Sequence, residues 1–343
     1  GRRPAVEIET QGGDGNRRLG AAHHRPLEGL RVLELTHLVA GPTVGRLLAE
    51  QGAEVIKVQP PIGDWVLPLW LDVSWGKHNI ALDIKSRVGR GRFAELLADA
   101  DVLVSSQRPE ALARLGLDDA GLKQINPDLV LVAVSCFVPN TPWHPRPGFE
   151  QIAQAVTGVM HRHSESLPAP TVVSVLMNDY VTGYLGAIGA VAALAERERA
   201  GGFWKVSAAL TRCAMLALTV VEEQDAEQYA PASMTDLVEF AVDQDSPSGV
   251  FTRLGPTVAF SHTPSFAQHP TNWPGTSPDT IGWSTEPAGR DAPQVTHYPS
   301  RMARDHSIRN LVPCYGIEDR GDGGGGLSLA SPLLTRLVEE SRK

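Results

Sequence analysis

The residues best placed to do chemistry lie in the stretch VLMNDYVTGYLGAIGAVAALAERERAGG, which begins at Val175. An apolar, strand-like run ends in Asn178 and Asp179, and a helical pattern starts at once. A carboxylate at such a junction has two readings. It can cap the helix by accepting its free N–H groups. It can also do chemistry, because a helix N-terminus holds one carboxylate oxygen and favours the ionised form. Gly183 and Gly186 follow on the same helix. Lacking side chains, they let it pack closely against another backbone or leave room for a ligand. His161 and His163 in MHRHSES are two residues apart in a polar segment, a spacing that suits exposed side chains better than an acid–base pair. Cys136, Cys213 and Cys314 are far apart, form no CxxC and have no histidine pair at zinc spacing, so no metal site or disulfide framework is indicated. There is no GxSxG elbow, no P-loop and no GxGxxG fingerprint.

The chain as a whole narrows the function classes. It has 343 residues, 42% hydrophobic and 20% charged, as expected of a globular protein with one large core or two domains. The net charge of −8 argues against a nucleic-acid groove, which needs a basic field. The arginines at Arg2–Arg3 and between Arg87 and Arg92 are short clusters that read as solvated faces. No apolar run reaches the ~18–20 residues of a membrane span. A reducing cytoplasm is the expected compartment, with no membrane partner.

The elements that must position Asp179 repeat along the chain. Residues 1–25 are polar and rich in Gly and Arg, and are expected to form a leader without fixed structure. RPLEGLRVLELT holds a buried strand at Arg31 to Leu35. A tight turn follows, then a helix from about Thr43 to Gln51, Gly52 at its end, and a strand from Glu54 to Val58. The segments RVGRGRFAELLADA, GLDDAGLKQINPD and GFEQIAQAVTGVM read as helices, and DVLVSS and LVLVAVS as strands. The long helix is expected from Tyr180 to about Arg199. FWKVSAAL then gives one more strand, before a helix near Thr211 to Val221. Alternation of this kind predicts an α/β fold, a Rossmann-like, doubly wound and mostly parallel sheet. After Glu222 the chain turns acidic, and from His262 onward Pro, Gly, Ser and Thr dominate, with a terminal helix expected at SPLLTRLVEESR.

Several stretches, in order, resemble the class III CoA-transferase family, which includes formyl-CoA transferase, carnitine CoA-transferase and α-methylacyl-CoA racemase. They are PLEGLRVLELTHLVAGPTVGRLLAEQGAEVIKVQPP, GKHNIALDIKS, ADVLVSSQRPEALARLGL, INPDLVLVAVSCF, RPGFEQIAQAVTGVM and NDYVTGYLGAIGAVAALAERERAGG. The resemblance covers roughly Pro26 to Leu218. It implies that Asp179 is the nucleophile, attacking an acyl-CoA thioester to give an anhydride and then an aspartyl-CoA intermediate. It places the backbone of Leu38, Val39 and Ala40 beside the thioester. It assigns CoA contacts to Lys77, Ser106, Gln107, Arg108 and Arg114. Val39 stands where formyl-CoA transferase has a Gln, which argues against formyl or oxalate chemistry. Phe149 stands where the racemase branch has a His, so transfer ranks above racemisation. A non-catalytic subunit is a further alternative. The substrates implied are an acyl-CoA and a small carboxylic acid, with no permanently bound cofactor, and the expected assembly is a homodimer. On this resemblance residues 26–221 are the large domain. Residues 222–285 are a short remnant of the small domain with a returning segment, and 286–343 an irregular tail.

Overall fold

The computed structural model describes residues 4–13, 15–20, 24–63, 65–165, 167–221, 237, 240–246, 249–258, 260, 262–263, 265–284 and 296–297. The chain runs through β1 (Val6–Thr10), β2 (Arg31–Leu35), α1 (Ala40–Glu50), β3 (Glu54–Gln59), α2 (Leu67–Val73) and β4 (Lys77–Ala81). It continues through α3 (Arg87–Ala98), β5 (Val102–Ser105), α4 (Pro109–Ala113), α5 (Asp119–Ile125) and β6 (Val130–Ser135). Then come α6 (Glu150–Thr157), α7 (Val159–His163), α8 (Met177–Ala200), β7 (Trp204–Ala209) and α9 (Leu210–Val221). A hairpin of β8 (Ala241–Ser246) and β9 (Gly249–Leu254) follows, and β10 (Thr296–His297) pairs with β8.

The main sheet has the order β1-β7-β6-β5-β2-β3-β4. All neighbours are parallel except β1, which lies antiparallel on β7. Its six parallel strands therefore follow the Rossmann order, and the winding reverses between β2 and β5. The period-two pattern of the strands builds the two faces. Val32, Val102 and Val130 point toward α1 and α8, while Leu33, Leu103 and Leu131 point toward α3 and α5. The expected doubly wound architecture is the one observed.

Four local expectations differ. The leader is not structureless throughout: Val6–Thr10 pairs with β7 along its length, from Val6 opposite Ala208 to Thr10 opposite Trp204. Arg17 also donates to the Ala100 carbonyl at 3.0 Å. An unpaired β7 would be a bare sheet edge, and VEIET supplies an alternating strand that covers it. Helix α1 begins at Ala40 rather than Thr43, since Pro42 is tolerated in a first turn that needs no N–H partner. The GFEQIAQAVTGVM helix breaks in two at Gly158, whose φ of 87° is left-handed. The run before Asn178 is not a strand, and α8 starts at Met177.

The segment 265–284 returns to the β4 side of the sheet. Phe266 N donates to Glu50 O at 3.1 Å, and Ser277 N donates to Asn79 O at 2.9 Å. The Trp283 indole donates to Leu96 O at 3.0 Å. The terminal helix expected at SPLLTRLVEESR lies outside the described residues. No helix among the described residues is long and apolar enough to cross a membrane.

One contact sets where the site sits. Helix α8 lies against α1 through glycines. A Cβ at Gly183 would fall 2.5 Å from Thr43 Cβ and 2.9 Å from the Ala40 carbonyl oxygen. One at Gly186 would meet Val44 Cγ2 at 2.9 Å. Gly183→Val should therefore force the helices apart and cost about 1–3 kcal/mol by overpacking, read as a lower Tm. Gly91 in α3 has nothing within 4 Å of such a Cβ, and Gly91→Ala should instead stabilise by up to about 1 kcal/mol. Equal effects at the two glycines would disprove the close-contact account.

Candidate active site

The two turns that flank the β2/β5 reversal are tied together. The Ser106 hydroxyl, just past β5, accepts from His37 N at 3.0 Å, just past β2, and Ser106 N donates to Leu35 O at 3.3 Å. Carboxyl ends of strands at such a reversal are where open α/β sheets bind ligands. Leu38 in the first turn has φ 59°, a left-handed conformation that costs a branched side chain about 1–3 kcal/mol. The Val39 side chain is buried and Ala40 opens α1, whereas His37 is exposed and Leu38 half-buried in the same turn.

Asp179 reaches the same place from behind. It is one helical turn before Gly183, on the face of α8 that meets α1, so its carboxyl lies toward the N-terminal end of α1. Both helices thus direct the positive ends of their dipoles to one point. Asp179 is not a cap. The N-cap position is Leu176, it makes no side-chain cap hydrogen bond, and Asp179 is the third residue of the helix.

A residue that sequence reasoning passed over holds this turn. Glu150, in the first turn of α6, is buried. One carboxylate oxygen accepts the Asp179 backbone N–H at 2.8 Å. The other accepts from the Asn178 amide and the Gln154 amide, both at 2.8 Å. In PGFEQIAQ an acid at a helix start looks routine, and only the packing of α6 against α8 reveals its partners. Asn178 Oδ1 and Thr43 Oγ1 are also buried and have no hydrogen-bond partner among the described residues.

Burial, and secondarily the Glu150 charge, pushes the Asp179 carboxyl up to about 7 from an ordinary 3.8. Burial, with Asp179 and Glu150 behind it, pushes the nearby Cys136 thiol up to about 12, so it stays protonated and is a poor nucleophile. No group of three or more metal-ligating side chains occurs among the described residues.

The expected CoA-contacting residues divide. Ser106 is half-buried, while Gln107 and Arg108 are exposed after β5, where α4 begins, and Arg114 is exposed at the end of α4. Lys77 is a correction. Strand alternation turns it toward α1, where it is fully buried and donates to Glu34 Oε2 at 2.7 Å and to Pro42 O at 2.6 Å. A phosphate has no access to it. His161 and His163 are exposed on α7, as expected.

The raised Asp179 pKa has a stability consequence. Between about 3.8 and about 7 the folded chain binds more protons than the unfolded one. Stability therefore falls as pH rises through that window and levels off above it, by on the order of 1.4 kcal/mol per unit. Asp179→Asn removes this loss. It should add several degrees to Tm at pH 8 and little at pH 4, and a gain of equal size at both pH values would contradict the assignment.

The site can now be set beside known proteins. The CoA-transferase family III model matches residues 27–244. The succinyl-CoA–L-malate CoA-transferase beta subunit of Chloroflexus aurantiacus is 36% identical over 198 residues, which are 54% of this chain and 49% of that one. The formyl-CoA:oxalate CoA-transferase of Rhodopseudomonas palustris is 31% identical, covering 63% of this chain and 53% of the relative. The crystal structure of a CaiB/BaiF family protein from Brucella suis matches with a TM-score of 0.55 and 31% identity, over 62% of this chain and 60% of that one. The chain thus spans about half the length of these curated relatives. With the family model matching well over half of its residues, this chain belongs to CoA-transferase family III.

Proposed function

We propose that the chain acts as an acyl-CoA:carboxylate CoA-transferase with Asp179 as its nucleophile. The observation that carries this reading is the position of Asp179. It is a buried carboxyl that caps nothing, in the first turn of α8, beside the N-terminus of α1 and the strained Leu38 turn.

The chemistry balances as two exchanges. The ionised Asp179 attacks the thioester carbonyl and expels CoA thiolate, leaving a mixed anhydride. The thiolate then attacks the aspartyl carbonyl of the anhydride, releasing the first acid as a carboxylate and forming an aspartyl-CoA thioester. An acceptor carboxylate attacks that thioester, giving a second anhydride and free thiolate. Attack of the thiolate on the new acyl carbon releases the new acyl-CoA and restores Asp179. Free N–H groups at Ala40 and Gly41, at the start of α1, suit the developing oxyanion. Leu38 and Val39 shape the approach. Arg108 and Arg114 suit the CoA phosphates, with Ser106 and Gln107 beside them. Phe149 at the head of α6 offers no group for proton transfer, which weighs against racemisation. CoA is a substrate in this scheme, and no resident cofactor is needed.

We assign the chain to a reducing cytoplasm, since Cys136 and Cys213 are free and buried. We also assign it to a homodimer. Ile152, Ile188 and Met215 leave apolar surface exposed on three neighbouring helices, α6, α8 and α9. Sedimentation should give twice the chain mass at micromolar concentration, and a clean monomer would reject the dimer.

The chemical test is trapping. The protein is incubated with a donor panel that starts with succinyl-CoA and formyl-CoA, the donors in the names of the two relatives. Hydroxylamine quenching and peptide mass spectrometry should find a hydroxamate on Asp179 that Asp179→Ala lacks. Only the ionised form reacts, so trapping should rise with pH through about 7. Glu150→Gln removes the like charge and should move that midpoint down, with slower trapping because the Asp179 N–H loses its carboxylate acceptor. A midpoint unmoved in Glu150→Gln, or no adduct with any donor on folded protein, would count against the mechanism.

A further inference from the structure

The first turn of α8 carries Asp179 yet has no side-chain N-cap. Uncapped first turns fray, because their leading N–H groups lack partners. A nucleophile cannot tolerate that, since a displacement of about 1 Å can cost on the order of a hundredfold in rate. Glu150 restrains the turn from the α6 side. A second restraint comes from α2 and shares no residue with the Glu150 cluster.

The Tyr180 hydroxyl, on the residue after Asp179, donates to Asp72 Oδ2 in α2 at 2.7 Å. The other oxygen of Asp72 accepts from Arg46 Nη1 in α1 at 3.1 Å, and the same nitrogen donates to the Asp72 carbonyl at 3.2 Å. Arg46 Nε is bound in turn by Glu50 Oε1 at 3.0 Å. The chain of contacts closes a triangle of α8, α2 and α1. Its α1 corner belongs to the helix whose N-terminus faces the carboxyl. The Asp72 side chain is 22% exposed and that of Arg46 12%, so the links are largely shielded from water.

We propose that Tyr180, acting through Asp72 and Arg46, is a positioning residue for Asp179: it fixes the first turn of α8 against α2 and the body of α1. Asp72 serves as the shared acceptor, with one oxygen for each helix. Tyr180 touches neither the thioester nor the acceptor in this scheme. Its loss therefore changes how often Asp179 is in line, not how well donor binds. The inference rests on the nucleophile reading, and the test separates the two.

The variants are Tyr180→Phe, which removes one hydroxyl, Asp72→Asn, which keeps the shape, and the double variant. Each is assayed for the Asp179 hydroxamate at saturating donor and for donor affinity by calorimetry. Hydrogen exchange is followed across residues 176–184. Tyr180→Phe should trap about tenfold more slowly, bind donor within about twofold and exchange faster in that peptide alone. The double variant should be no slower than the slower single one, because the residues act as a unit. A trapping rate in Tyr180→Phe equal to wild type would overturn the inference and leave the nucleophile intact. Losses that multiply in the double variant, or that appear wholly in donor affinity, would also overturn it. Absence of the hydroxamate in the wild-type protein would overturn both readings.

Discussion

The close approach of α1 and α8 is the constraint on which the rest depends. Two glycines on α8 let Thr43, Val44 and the Ala40 carbonyl of α1 come within 3 Å of where their Cβ atoms would stand. Without that contact the start of α1 and the start of α8 would be separate features of one sheet face. With it, two helix N-termini and the carboxyl ends of β2 and β5 share one small volume. The sheet contributes by fixing α1. Its order places β2 beside β5, and the His37–Ser106 bond holds the two turns together there.

Buried charge stiffens this frame at both ends of the sheet. Glu34, on β2, accepts from Lys57 at 2.8 Å, from Lys77 at 2.7 Å and from the Thr36 hydroxyl at 2.6 Å. Burial alone would raise its pKa, but the two lysines outweigh burial and lower it. Lys77 extends the cluster to the Pro42 carbonyl, in the first turn of α1. At the far end of α8, the buried Arg197 binds Asp101 at 2.9 Å and the Asp128 carbonyl at 2.9 Å. Such ions contribute little net stability after desolvation, and breaking one pair would be costly. Their effect is to fix registry: α8 is pinned at its end to the loops before β5 and β6, and at its start by Glu150 and Tyr180.

What could be read from the sequence follows the range of the forces involved. Strand and helix periodicity is local, so the alternation and the sheet class were legible, whereas Asp179 was singled out by its place at a helix start and by the family resemblance. So was the turn after β2, because glycine and proline mark it. The exceptions are non-local. Val6–Thr10 is a weak strand that exists because β7 needs an edge partner. Lys77 was expected to contact CoA because its partner, Glu34, is 43 residues away in sequence and could not be read beside it. Glu150 looked like an ordinary helix-start acid because Asp179 is 29 residues further on. The start of α8 was misplaced by three residues, and that error made Asp179 look like a cap.

Glu150 shows why this arrangement is a compromise rather than an optimum. Its carboxylate satisfies three donors and fixes the turn that carries Asp179. The same negative charge, added to burial, makes the neighbouring carboxyl harder to ionise. A neutral acceptor in its place would ease ionisation but could not serve three donors with two oxygens. The helix N-termini offset part of that cost, because their partial positive charge favours the carboxylate they face. Rigidity and ionisation therefore pull the same side chain in opposite directions. A carboxyl poised near neutrality is the consequence: less of it is ionised at a given pH, but the carboxylate that forms is the more basic one.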